Sequence, residues 1–534
     1  MEQPSRTGDG ERVAAVLGAF TYASDLAFGF PFEDGLRACY IAMRLADRLN
    51  LSPADRKTVF YTVLIKEAGC TCWTNQLAEF WQADEMEARR ELLIFGAGSD
   101  LKRFAPWMLR YVGTQLALPA RVARLGDVFF RTKSFLREGF DAVCEVNARI
   151  AGRLGMPEAV QLAIQSMFER WDGGGVPRGL RGTQTPIAAR IVAGCFYFIP
   201  FKDLGGHEAA RRFARDSRGT LLDPAVADAF LALSQEASFW EEVEAPALWD
   251  HVLALEPEPI EYSPGPAYLD EVAGAFADFV DLKSPYAAAH SRRVATLAES
   301  VAVALGCGDT DAAWIRRAAL MHDLGQVAVS SFTLGRAESA MSESEREQFR
   351  LHPYHGERVL MRVPALQPAA AIVGAHHERL DGTGYYRGLK GTAIPLGARI
   401  VAAVDQFDEL AHDRPGRRAM PPGTALTTLE AQAGRAFDPG VLHALRSCVQ
   451  AETSQTGALR MHAHVRQVWP AGLTDREVEV LRLAARGQSR KQIAAELVIS
   501  EVTARHHLEH IYRKAGVSTR VGASMFAMEA GIIV

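Results

Sequence analysis

Seven cysteines among 534 residues, an odd number, are too few for a disulfide framework. The first twelve residues are polar and charged and lack the apolar segment of a secretion signal, so the thiols read as reduced and the chain as cytoplasmic. No apolar run approaches the ~20 residues of a membrane helix; residues 191–201 are among the longest, and no membrane partner is expected. Charge of one sign is also missing: 59 Lys and Arg stand against 64 Asp and Glu, a net of -5. With 48% hydrophobic and 23% charged residues, disordered and fibrous classes are excluded. Strand-type alternation is rare.

What is present is helical periodicity, with apolar residues recurring at three and four, clearest in residues 36–51, 286–305 and 312–324. An all-α chain of three units follows. A Pro-rich stretch at residues 256–266 reads as a hinge, and a second polar stretch, residues 452–457, precedes the basic tail. The boundaries expected are 13–255, 267–451 and 469–534. The last unit has nine Lys/Arg and seven Asp/Glu, a small basic excess on an acidic body that points to nucleic acid at that end.

The sequence repeats itself. Residues 169–193 (ERWDGGGVPRGLRGTQTPIAARIVA) match residues 378–402 (ERLDGTGYYRGLKGTAIPLGARIVA) at sixteen of twenty-five positions without a gap. Asp-Gly-x-Gly makes turns anywhere, but a turn alone does not explain a match continuing through Arg190 and Arg399. A separation of 209 residues is a domain length, so the first two units read as a duplication.

The second copy concentrates ligand-type residues: His290, His322-Asp323, His352, His376-His377 and Asp405. Five imidazoles and two carboxylates suit divalent Fe, Mn, Zn or Ni rather than Ca. A buried His-Asp pair is costly unless paired or metal-bound. One carboxylate can bridge two cations, which would activate a water between them and clamp a phosphate. Taken singly, a histidine is usually a surface or core residue; His207, His251, His355, His412 and His443 are read that way.

Residues 285–438 resemble the HD-GYP subgroup of the HD phosphohydrolase superfamily. The matching pieces are His290-Ser-Arg-Arg-Val294, Leu320-Met-His-Asp-Leu-Gly325, Arg350-Leu-His-Pro353, the run from His376 to Tyr385, Ile394-Pro-Leu-Gly-Ala-Arg-Ile400 and Ala402-Ala-Val-Asp-Gln-Phe-Asp408. The resemblance implies two divalent metal ions, Fe, Mn or similar. One would be held by His290, His322, Asp323 and Asp405, the other by Asp323, His352, His376 and His377. It makes His322 and Asp323 the catalytic residues and implies hydrolysis of cyclic di-GMP. Gln326 stands where the family carries Lys, removing a point charge that would meet phosphate. Gly384-Tyr-Tyr386 replaces Gly-Tyr-Pro, and Tyr286 offers no carboxylate for a third metal. Gln326, Tyr385, Arg414, Arg417 and Arg418 are the candidates for substrate phosphate.

In the first copy, Asp34, Lys66, Glu67 and Val143 stand for His290, His322, Asp323 and His352. Met167, Phe168 and Phe196 stand for His376, His377 and Asp405. This copy reads as a pseudo-enzyme: a scaffold, a dimerisation unit or a pocket for another ligand.

At the C-terminus, Thr474-x-x-Glu477 and Ser489-x-x-Gln492 are capping boxes, and a basic helix follows from residue 501. The pattern Leu-Thr-x-Arg-Glu, Ile-Ala-x-x-Leu-x-Ile-Ser, Thr-x-Arg-x-His resembles the LuxR-type DNA-binding domain. It implies double-stranded DNA as partner, met by Ser489, Lys491, Thr503, Arg505, His507 and Lys514, with the protein a homodimer on inverted half-sites. The expectation for the whole chain is a metal-dependent phosphodiesterase coupled to transcription. Two alternatives stay open: a transcription factor that senses a nucleotide with little turnover, and hydrolysis of another nucleotide or phosphomonoester.

Overall fold

The computed structural model describes residues 12–29, 33–94, 101–260, 265–461 and 468–533. Nearly all of the N-terminal segment and part of the 256–266 hinge lie outside the described residues. Among the described residues there are helices, turns, irregular stretches and isolated bridges but no strand, as the periodicity predicts. No helix among them is long and apolar enough to cross a membrane.

Helix bounds recur at the offsets of the sequence repeat. The Asp34–Arg48 and His290–Ala304 helices begin 256 residues apart, each after a residue in left-handed conformation, Glu33 (φ 78) and Ala289 (φ 57). Pro53–Ile65 and Asp309–Met321 match at both ends at that offset. The short turns Gly182–Gln184 and Gly391–Ala393 and the starts of the helices Ile187–Ser217 and Leu396–Ala411 match at 209.

The turns repeat because the same contacts hold them. Glu169 accepts the N–H groups of Arg178 and Leu180 at 2.8 and 2.9 Å. Glu378 accepts those of Arg387, Gly388 and Leu389 at 2.7, 3.1 and 3.0 Å. A carboxylate that satisfies several amide donors at once fixes a loop strongly. Arg190 pairs with Asp223, and Arg399 with Asp438. Gly69 and Gly325 bring the turn after the Lys66-Glu67 or His322-Asp323 pair against the next helix; a Cβ would lie 2.6 Å from the Val143 carbonyl oxygen and 1.9 Å from that of His352.

The two units do not have separate cores. One apolar cluster runs through both, with Phe20 stacked on Phe276 at 4.0 Å between ring centroids. Thr71 donates to the Phe279 carbonyl at 2.6 Å, and Glu85 caps Ser331 N–H at 2.7 Å. Lys283, fully buried at this junction, donates to the Val327 carbonyl at 2.7 Å; burial lowers its pKa to about 8.

One helix runs Pro439–Met461 through the polar stretch at residues 452–457, whose Thr, Ser and Gln residues carry only a small helix penalty. In the tail, the helices Asp475–Ala485, Arg490–Leu497, Glu501–Ala515 and Arg520–Glu529 build a second apolar cluster that takes in Ala289, while Val521 and Met525 join the cluster of the body. Both capping boxes form as expected. Its last helix rests on the long Leu118–Arg153 helix of the first unit, where Arg149 meets Glu529 at 2.5 Å and Glu145 accepts from Ser518 N–H at 2.8 Å.

Candidate metal centre

Three histidines share one local geometry. His322 and His376 cap the helices Asp309–Met321 and Gln367–Ala375, and His352 follows the helix Glu343–Arg350. In each, Nδ1 donates to the carbonyl three residues back: Ala319 at 2.8 Å, Val373 at 2.6 Å and Phe349 at 2.7 Å. Helix ends leave such carbonyls unsatisfied, so the backbone itself sets the tautomer. Each Nε2 is thereby left with its lone pair facing inward.

Those lone pairs converge. His352 Nε2 and His376 Nε2 lie 3.2 Å apart, and His322 Nε2 is buried without a hydrogen-bond partner among the described residues. Burial lowers the pKa of His352 against the pull of Asp323; burial, followed by the neighbouring imidazoles, takes that of His376 down to about 3 and that of His377 well below its usual value. Neutral imidazoles with facing lone pairs repel one another and suit a cation between them.

Asp323 stands at the centre. Its Oδ2 is 3.4 Å from His322 Nε2 and 3.6 Å from His290 Nε2. Its Oδ1 is 3.4 Å from His352 Nε2 and 4.0 Å from His376 Nε2. The donor atoms fall into two groups that share this carboxylate: His290, His322 and Asp323, and Asp323, His352, His376 and His377. Asp405 adds Oδ1 at 3.2 Å from His290 Nε2 and 3.5 Å from His322 Nε2. Burial works against the charge on Asp405, but the adjoining imidazoles hold its carboxyl well below the usual range.

His290 is oriented differently, by a side chain: Nδ1 lies 2.7 Å from Asp408 Oδ2. Arg293 grips the same carboxylate at 2.7 and 2.9 Å, and His412 lies 3.1 Å from it. Burial opposes protonation of His290, yet Asp405 and Asp408 raise its pKa to about 10 despite the nearby Arg414. Asp408, Arg293 and His412 are not among the residues that the sequence marks as a site. The available signal was spacing: Arg293 and Asp408 each lie three residues beyond a ligand-type residue, on the same helical face.

The phosphate candidates are placed unequally. Arg414 brings Nη2 to 3.1 Å from His290 Nδ1 and 3.8 Å from Glu409. Tyr385 stacks on His377 at 4.8 Å, with Arg350 over its ring. Gln326 is half-buried in the turn Leu324–Ala328 next to Asp323. Arg417 faces back onto the end of the Leu396–Ala411 helix, donating to the Leu410 and Glu409 carbonyls. Arg418 is exposed and paired with Asp413 at 3.3 Å.

In the first unit, no metal group is found among the described residues at the corresponding positions. Lys66 and Glu67 are buried and paired with each other, and Lys66 lies over the Phe196 ring.

In the tail, Ser489 and Lys491 stand exposed at the start of Arg490–Leu497. Arg505 is exposed beside Glu509 at 3.6 Å, and Thr503 and His507 are half-buried on the same helix. Lys514 is engaged within the tail, at 2.7 Å from Glu477 and 3.0 Å from the Gly472 carbonyl.

The HD domain family matches residues 274–441, and the family of bacterial regulatory proteins, luxR family, matches residues 471–527. A 3'3'-cGAMP-specific phosphodiesterase 3 of Vibrio cholerae is 31% identical over 431 residues, 81% of this chain and 93% of the relative. The chain belongs to the HD-GYP phosphodiesterases. It is a metal-dependent phosphohydrolase of that family with a LuxR-type helix-turn-helix domain at its C-terminus. Among other HD-GYP relatives, the cyclic di-GMP phosphodiesterase response regulator RpfG of Xanthomonas campestris is 37% identical over 177 residues, 33% of this chain and 47% of the relative. The crystal structure of a cyclic GMP-AMP specific phosphodiesterase of V. cholerae matches with a TM-score of 0.57 and 28% identity, over 83% of this chain and 98% of that one.

Proposed function

We propose that the second unit hydrolyses a 3',3'-cyclic dinucleotide, cyclic di-GMP or cGAMP, and that the tail couples this to transcription. The observation that carries the reading is Asp323, whose two oxygens face two separate sets of imidazoles. Two divalent ions, Fe or Mn, fit that arrangement. His290, His322, Asp323 and Asp405 would hold one, and Asp323, His352, His376 and His377 the other. Bound there, the ions would supply a water acidified to a nucleophilic hydroxide and neutralise charge on the phosphodiester.

The chain's own residues complete the site. Asp408 and the three backbone carbonyls keep each Nε2 directed inward, so that little reorganisation accompanies catalysis. Arg414 brings a guanidinium for the non-bridging phosphate oxygens, and Tyr385 on His377 offers an aromatic face to a base. Gln326 can donate a hydrogen bond to phosphate but brings no charge. Cyclic di-GMP follows from the motif resemblance. The relative that this chain matches over nearly its whole length favours cGAMP.

The tail's Glu501–Ala515 helix would enter the major groove, with Arg505, His507 and Thr503 reading bases and Ser489, Lys491 and Lys514 meeting backbone, two copies binding inverted half-sites. The duplication reading, with units at 13–255 and 267–451, is supported by the matched helix bounds. The experiment is chromatography of products after the full chain, loaded with Mn or Fe, meets each cyclic dinucleotide, beside an Asp323→Ala control. Linear dinucleotide or mononucleotide in the wild type alone supports the reading. Intact nucleotide from a metal-loaded protein overturns it and leaves a nucleotide-sensing regulator.

A further inference from the structure

Where the second unit gathers its imidazoles, the first unit holds a cavity. Val143, Phe168 and Phe196, at the sequence positions of His352, His377 and Asp405, line a void of about 150 Å³ with mostly apolar walls. Protein interiors leave few gaps larger than a water molecule, and an apolar void of this size admits an aromatic ring.

The walls are not wholly apolar. Asp25 Oδ2, Arg89 Nε, Trp73 Nε1 and Trp81 Nε1 belong to residues that border the void, and each atom is buried without a hydrogen-bond partner among the described residues. Buried polar atoms are nearly always satisfied, so four orphans around one cavity call for an occupant. Asp25 is 1% exposed, and its other oxygen is fixed by Gly35 N–H at 3.1 Å. Arg89 is likewise pinned, with Nη2 donating to the Ala27 carbonyl at 2.6 Å and its guanidinium over Phe28. The charged neighbours are closed on themselves: Lys66 pairs with Glu67, and Asp34 with Arg37. The two charged groups left open, Asp25 and Arg89, are of opposite sign, so the cavity offers an acceptor and a donor to a neutral polar edge rather than a net counter-charge to an ion.

We propose that the first unit is a binding site for a small, planar, neutral aromatic molecule of one or two fused rings with an amide-like edge. The ligand's carbonyl would accept from the Arg89 and indole N–H groups, and its N–H would donate to Asp25. The loss of metal ligands in this copy is then an exchange of one site for another, with Phe168 and Phe196 where His377 and Asp405 stand in its twin.

The test uses the full chain and two probes in ligand-observed NMR titrations: oxindole, which carries the lactam edge, and indane, its hydrocarbon counterpart. Oxindole is expected to saturate with a Kd of roughly 0.1–1 mM, and indane to bind at least tenfold more weakly. Val143→Trp, which fills the void, should weaken oxindole at least tenfold. Asp25→Leu, which removes the polar anchor, should bring oxindole down to the level of indane. No oxindole binding at millimolar concentration overturns the proposal. So does equal binding to wild type and Val143→Trp, or an undiminished preference for oxindole in Asp25→Leu. Circular dichroism of both variants checks that they are folded, and either one alone is decisive.

Discussion

Asp408 orients His290: its Oδ2 sits 2.7 Å from the imidazole Nδ1, while Arg293 holds the same carboxylate from the other side. Without it, Nδ1 of His290 keeps only the Arg414 guanidinium at 3.1 Å, a donor that cannot accept the proton Asp408 accepts. Replacing Asp408 with Ala is expected to weaken metal binding by about 10–100-fold, the usual cost of losing a partner behind a ligand. Calorimetric titration of the metal-free protein with Mn measures it; unchanged affinity would refute the role given to Asp408.

Gly325→Ala places a methyl group where the His352 carbonyl oxygen lies 1.9 Å away. The helix carrying His352 must move from the His322-Asp323 turn. A loss of about 3 kcal/mol in stability is expected, as for overpacking against backbone. Bound metal per chain should fall as well. Thermal unfolding and elemental analysis read the two effects, and a wild-type melting temperature would contradict the close approach.

Glu378→Ala and Glu169→Ala remove the carboxylates that hold equivalent turns. Each leaves partly buried N–H groups without their charged acceptor, and each should cost about 1–3 kcal/mol. Only Glu378→Ala should also lower metal occupancy, because only its turn follows directly on ligand-type residues. Equal effects on metal from both variants would speak against a division of labour between the units.

Stability should fall as pH rises from about 4 to 7, in part through Asp34. Burial first, then the charge of Asp203, raises its pKa to about 7 against the pull of Arg37. The folded chain keeps a proton that the unfolded chain releases in this window, so the native state is favoured at the acid end. Asp34→Asn removes that dependence. It should stabilise by roughly 2 kcal/mol at pH 8 and by about 0 at pH 4. Urea unfolding at the two pH values decides it; an equal shift at both would disprove the linkage.

On operator DNA, Arg505→Ala is expected to cost about 1–3 kcal/mol and relax specificity at one base pair. Lys491→Ala should weaken binding to all sequences alike and reduce the salt slope by about 1. Fluorescence anisotropy at several salt concentrations separates the two patterns, and their reversal would invert the assigned roles.

The helices and their caps were legible because their signals are local: a Thr or Ser and an acid or amide three residues on, and periodic apolar positions. The clustering of His290, His322, Asp323, His352, His376 and His377 was open to reading because the chemistry restricts residue type so narrowly. Asp408 and Arg293 were not, since a carboxylate and a guanidinium on a helix face usually meet solvent. The continuous core was not legible either. Phe20 and Phe276 lie in different copies of the repeat, and nothing local tells a Phe which neighbour it will stack on. The cavity of the first unit depends on how Val143, Phe168 and Phe196 fail to fill the space left by their counterparts, a property of volumes rather than of pattern.

Ala289, left-handed and fully buried, packs in the apolar cluster of the tail rather than in that of the body. It is also the residue from which the His290 helix departs. The DNA-binding domain is thus part of the wall behind the first ligand-type histidine. An enzyme trimmed of its last 66 residues for convenience would expose that seam to water. Its catalytic constants would then describe a different protein from the full chain.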